Sequence, residues 1–150
     1  VPDRRFGKAT KATQFTSKVD GFSRSKRVYV CAACGYWQVG KVERCELPSC
    51  QLGPIVSFPS KAEARRYAEL RTQRYYGDIT SEIELHPRFV CVVNGTKVCT
   101  YVADFRYRTR DGDTRIEDVK GNISRTDEAS KLRRALAEAI YGINVILVEA

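Results

Sequence analysis

The chain has 150 residues, with 26 lysines and arginines against 18 acids and a formal charge of +8. That length holds one domain, or a domain with a small insert, and a sizeable core. The charge favours a polyanionic partner, nucleic acid being the usual one. No apolar run reaches the roughly 18 residues of a membrane span, and no secretory leader is visible, so the expected setting is the cell interior.

Residues 1–28 carry Arg4, Arg5, Lys8, Lys11, Lys18, Arg24, Lys26 and Arg27 against only Asp3 and Asp20. They read as a basic arm able to lie along phosphates, the alternative being a tail with no binding role. Residues 29–53 hold Cys31, Cys34, Cys45 and Cys50, a C-x2-C and a C-x4-C pair separated by ten residues. Close cysteine pairs aim two thiolates at one ion, and two such pairs complete a tetrahedral shell. With short strands predicted over 28–30 and 35–39, the segment resembles a zinc ribbon. Its zinc would be structural, because four thiolates leave no open position. Lys41 and Arg44 are candidate DNA contacts. Tyr36 and Trp37 either join them or pack over the zinc core. Cys91 and Cys99 lie inside apolar strand runs and read as small buried hydrophobes.

Ser60 opens a helix predicted to run to about Tyr76 and to end at Gly77. Ser60 and Glu63 match a capping box, which is a structural reason for Glu63. Yet Glu63 shares the helical stripe of Tyr67, Leu70 and Arg74 that should face the sheet. Glu69 sits with Arg65 and Arg66 on a charged face. A hairpin comes next, with strands over 89–93 and 97–107 joined by Asn94-Gly95. Asp111-Gly112-Asp113 turns the chain into a strand over 114–120. A helix is predicted over 127–141 with Ala129, Leu132, Leu136, Ala139 and Ile140 as its apolar stripe. The run over 144–148 is almost wholly apolar, as expected of a buried strand parallel to a neighbour.

Asp104 thus lies on one strand, and Asp118 and Lys120 lie one step apart on the next. Magnesium takes oxygen ligands and often only one or two protein carboxylates. A bound metal activates water and neutralises charge on a phosphate under attack, and a nearby lysine orients the water. These residue types suit a metal-dependent phosphodiesterase. The structural alternative is an exposed Asp104 beside an ion pair between Asp118 and Lys120.

Asp104-Phe105 and Asp118-Val119-Lys120-Gly121, in the order helix, three strands, helix, strand, resemble the two central motifs of the PD-(D/E)xK nuclease superfamily. The segment over 58–67, with Ser60, Lys61, Glu63, Ala64, Arg65, Arg66 and Tyr67, resembles a phage-encoded family of Holliday-junction-resolvase-like proteins. Residues 83–89, 101–105 and 117–121 continue the similarity, which covers roughly 56–150. The arrangement is also similar to phage endonuclease I resolvases.

The resemblance implies an α/β, restriction-endonuclease-like αβββαβ core over 56–150, behind the basic arm and the zinc ribbon. It implies a DNA endonuclease dependent on magnesium or manganese, acting on junctions or branched DNA in phage recombination. Asp104, Asp118, Glu63 and the Val119 carbonyl would hold the metal, and Lys120 would position the attacking water. Arg65, Arg66, Lys131 and Arg134 are candidate phosphate contacts. A symmetric junction implies a homodimer, and the setting implied is the cytoplasm of a bacterial host, with a phage or prophage gene. Ala103 stands where the superfamily often has proline, and Asp118 where glutamate is commoner. His86 stands where the phage family prefers glutamine and is read as structural. Two other readings remain open: a nuclease of plain duplex, flap or single-stranded DNA, and a non-catalytic zinc-ribbon nucleic-acid-binding protein.

Overall fold

The computed structural model describes residues 27–50, 53–121 and 127–149. Nearly all of the expected basic arm, and residues 122–126, lie outside the described residues. Within them the protein is mixed α/β, with two helices and three sheets. Neither helix is long and apolar enough to cross a membrane.

Strand β1 (Val28–Cys31) is the centre of an antiparallel sheet between β2 (Trp37–Val39) and β3 (Ile55–Phe58). The turn that reverses β1 is closed by Cys31 N–H to the Tyr36 carbonyl at 2.8 Å and Gly35 N–H to the Cys31 carbonyl at 2.9 Å. Gly35 sits there at φ 76°, a conformation that glycine adopts without steric cost. The strand over 55–58 has no clear alternation and was not expected. It makes the cysteine segment continuous with the α/β core, because Val28 and Val30 bury in one cluster with Phe58, Tyr67, Leu70 and Phe105. Phe58 is 5.1 Å from Tyr67 and 6.2 Å from Phe105 between ring centroids. Each such side chain contributes about 1.5–3 kcal/mol through burial, so this cluster is the main tie between the cysteine segment and the rest.

Helix α1 (Lys61–Tyr75) starts where expected. The Ser60 side chain accepts from Glu63 N–H at 3.2 Å, and its hydroxyl donates to Glu63 Oε1 at 3.0 Å. Ala64, Tyr67 and Leu70 form the buried stripe.

Strands β4 (Glu84–Leu85), β5 (Arg88–Val93), β6 (Thr96–Val102) and β7 (Phe105–Arg108) form one long antiparallel ribbon with a break in the middle. The pairing keeps one register across the break, where His86 N–H donates to the Asp104 carbonyl and Ala103 N–H to the Pro87 carbonyl. Proline has no N–H to give, so the ladder weakens there. The expected single strand over 97–107 is therefore two strands in different sheets, with Asp104 at the joint. Cys91 and Cys99 face each other across β5 and β6, the first fully buried.

Strand β8 (Thr114–Lys120) pairs antiparallel with β7 and parallel with β9 (Val145–Glu149), giving the order β4-β7-β8-β9. The parallel pairing of the last strand matches the reading of its apolar run, although only Val145 is fully buried. Helix α2 (Glu128–Tyr141) connects them, capped by Asp127 and ended at Gly142 with φ 62°. Its apolar stripe is not the buried face expected. Ala137 is buried and Leu136 partly so, but Leu132 is 70% and Ile140 41% exposed. The helix is set instead by the Glu138 carboxylate, which accepts Val145 N–H at 2.8 Å, and by Tyr141, whose hydroxyl donates to the Val90 carbonyl at 2.8 Å.

Candidate active site

Asp104 lies just past the break in the ribbon and neighbours β8. Its N–H donates to the Glu117 carbonyl at 2.9 Å, and its Oδ2 accepts Val119 N–H at 2.6 Å. Val119 thus meets Asp104 through its amide. Glu63, His86 and Asp104 each offer a ligand atom within 4.8 Å of the others. Glu63 Oε1 is held by the cap hydroxyl, while its Oε2 is buried with no hydrogen-bond partner among the described residues. The cap expected of Ser60 and Glu63 thus uses one carboxylate oxygen and leaves the other over. A buried carboxylate oxygen without a partner is costly unless a cation or a donor meets it.

Burial raises the Asp104 pKa to about 7; the Val119 amide opposes the shift, and the nearby Glu63 and Asp118 carboxylates add to it. Burial also raises that of Glu63. Clustered carboxylates that resist ionisation are what a cation would relieve. Asp118 is buried, its Oδ2 accepting from the Tyr101 hydroxyl at 2.9 Å and its Oδ1 lying 2.9 Å from Lys120 Nζ. The ion pair that served as the structural alternative is present, within reach of the other acids.

His86, assigned a structural role from the sequence, lies in this cluster. It has φ 52°, an uncommon conformation for any residue other than glycine, and is fixed by its N–H bond to the Asp104 carbonyl and by Pro87. The register of the ribbon puts it opposite Asp104, and no local pattern in the sequence carries that pairing. Tyr101 was also missed. A small cavity beside Asp118 and Lys120 is lined further by Ser130 and Arg133.

The expected phosphate contacts divide. Arg65, Lys41 and Arg44 are exposed. Lys131 is paired with Glu128 at 2.7 Å, and Arg134 is half-buried. Arg66 is committed elsewhere: it donates to both oxygens of buried Glu117 at 2.8 and 2.7 Å and to Glu69 at 2.9 Å, while the Tyr107 hydroxyl donates to Glu117. Its guanidinium neutralises a core carboxylate and is not offered to solvent. Glu69 is spent on the same arginine, so of the two helix acids it is Glu63 that joins Asp104.

The four cysteines form a second cluster, with all four Sγ atoms within 4.8 Å of one another and pairs at 3.8 Å (Cys31 and Cys50) and 3.5 Å (Cys34 and Cys45). A disulfide needs about 2.0 Å, whereas sulfurs at about 2.3 Å from a shared zinc lie about 3.8 Å apart. The four thiols are therefore close enough to bind one metal ion. The chain returns over them at Gly53, where a Cβ would fall 2.1 Å from Cys31 Sγ. Arg71 ties the knuckle to α1 by donating to the Cys31 and Ala33 carbonyls at 3.0 and 2.9 Å. Tyr36 and Trp37 are 43% and 52% exposed, so neither is packed away over the cluster.

No curated protein and no solved structure matches the chain at a significant level. A family model described as "Protein of unknown function (DUF1064)" matches residues 54–145, from β3 through both helices to the start of β9. The chain belongs to the DUF1064 family.

Proposed function

We propose that the protein is a metal-dependent DNA endonuclease of the PD-(D/E)xK type, acting on branched DNA, and that its four cysteines hold a structural zinc. The observation that carries the reading is the unpartnered, buried Glu63 Oε2 beside His86 and Asp104, with Asp118 and Lys120 next to them. Bound among these groups, a divalent ion would supply charge neutralisation at the phosphate and a more acidic attacking water. The carboxylate donors suit manganese and magnesium alike, and both are tested.

Lys120, which pairs with Asp118 at 2.9 Å, would stand beside an ion held by that carboxylate, where it could orient the attacking water and stabilise charge on the phosphate. Tyr101 holds the second Asp118 oxygen and so fixes the carboxylate plane. Arg65 and Arg133 are available for backbone phosphates.

The test is incubation with labelled four-way junction and matched linear duplex, with manganese, with magnesium and with neither, alongside Asp118→Ala. Paired nicks near the branch that need the metal and Asp118 support the reading. Cutting of duplex and junction alike keeps the nuclease and removes the structural preference. The Asp118–Lys120 ion pair and exposed Trp37 favour a second reading, a non-catalytic nucleic-acid-binding protein. It predicts binding without cutting under any divalent ion.

A further inference from the structure

A cavity of about 430 Å³ opens between β2 and the first turns of α1, lined by Trp37, Lys61, Ala62, Arg65 and Gly121. Small-ligand sites span about 300–1,000 Å³. Trp37 is the sole tryptophan of the chain, and it is half exposed at the mouth of this cleft. Lys61 and Arg65 are exposed, stand one helical turn apart on the same face, and make no salt bridge among the described residues. Like charges at that spacing repel, and an anion between them relieves it. Gly121 comes directly after Lys120, which puts one wall of the cleft beside the carboxylate site.

An open aromatic face accepts any flat apolar group, and two unpaired cations accept a phosphate. A nucleotide has both. We infer that this cleft holds an unpaired nucleotide of DNA, with its base stacked on Trp37 and its phosphate between Lys61 and Arg65. A base within a duplex already has both faces stacked, so only an unpaired or splayed one offers a face to the indole. If the protein is the nuclease proposed above, on which this last step rests, the cleft selects substrates with an unpaired nucleotide beside the bond that is cut. It would favour flaps and open junctions over plain duplex.

The lone tryptophan is itself the probe. Its fluorescence is titrated, without added divalent ion, with a short single-stranded DNA and with the duplex of the same sequence. Saturable quenching by the single strand and little by the duplex is expected. By anisotropy of the labelled single strand, Trp37→Ala binds roughly 5- to 100-fold more weakly, Trp37→Tyr recovers much of the loss, and Lys61→Glu with Arg65→Glu matches or exceeds it. With manganese, Trp37→Ala cuts flap and duplex at similar rates. No quenching, equal quenching by duplex, or a Trp37→Ala variant that binds and discriminates like wild type overturns the inference. Selective quenching with no cutting of any DNA sustains the cleft and sinks the nuclease reading instead. Cutting that ignores Trp37 does the reverse.

Discussion

Replacing Asp104 by asparagine removes a buried carboxyl while keeping an oxygen to accept Val119 N–H. In the folded protein burial raises the Asp104 pKa to about 7, against an ordinary value of 3.8. The folded state thus holds the proton more tightly than the unfolded chain does. The stability this confers is complete below pH 3.8 and is lost as pH rises through about 7. Three pH units correspond to about 4 kcal/mol, and the partial exposure of Asp104 reduces this to roughly 2 kcal/mol. Asp104→Asn should therefore be about 2 kcal/mol more stable than wild type at pH 8. At pH 4 the gain should be well under about 1 kcal/mol. In a chain of this size the pH 8 difference raises Tm by roughly 4–8 °C. Urea and thermal unfolding at both pH values check this, with no divalent ion added and no chelator, so that the cysteine cluster is spared. A variant equally or less stable at pH 8, or a difference that ignores pH, would refute the account of Asp104 as a carboxylate held short of its cation.

Arg66→Ala strands Glu117 in the core, where the pair is 19% and 3% exposed by side chain, and should cost about 3 kcal/mol in urea unfolding. Adding Glu117→Gln should recover part of that loss, whereas a phosphate-binding Arg66 predicts weaker DNA binding at unchanged stability. Gly53→Ala drives a methyl into Cys31 Sγ and the Ala33 side chain. If the four cysteines hold the proposed zinc, the purified variant should carry less of it than wild type and expose titratable thiols, and full retention of zinc would contradict the packing described.

Local chemistry made much of the fold legible. The Ser60–Glu63 cap, the Asn94-Gly95 turn, the Asp111-Gly112-Asp113 turn and the apolar run of β9 each act within a few residues, and each lies where expected. The acids were legible for the same reason: Asp104 directly precedes β7 and Asp118 lies on β8, two strands joined by a short turn. Long-range pairings were not legible. His86 enters the site only through the register of the ribbon, and Arg66 finds Glu117 across 51 residues. Strand β3 has no alternation of its own and forms because β1 needs a second partner. On α2 the periodicity marked an apolar stripe, but not whether this chain covers it, and Leu132 remains in solvent.

The most direct test of the central claim is the rate of manganese-dependent cleavage of a branched DNA by wild type and by Asp104→Asn at pH 8. Wild type is expected to cut. The variant is expected to lose at least about 100-fold in rate, the scale set by single transition-state electrostatic groups, while being more stable and still binding DNA. Undiminished cutting by the variant, or no cutting by wild type with any divalent ion, would contradict a carboxylate-held metal at Asp104.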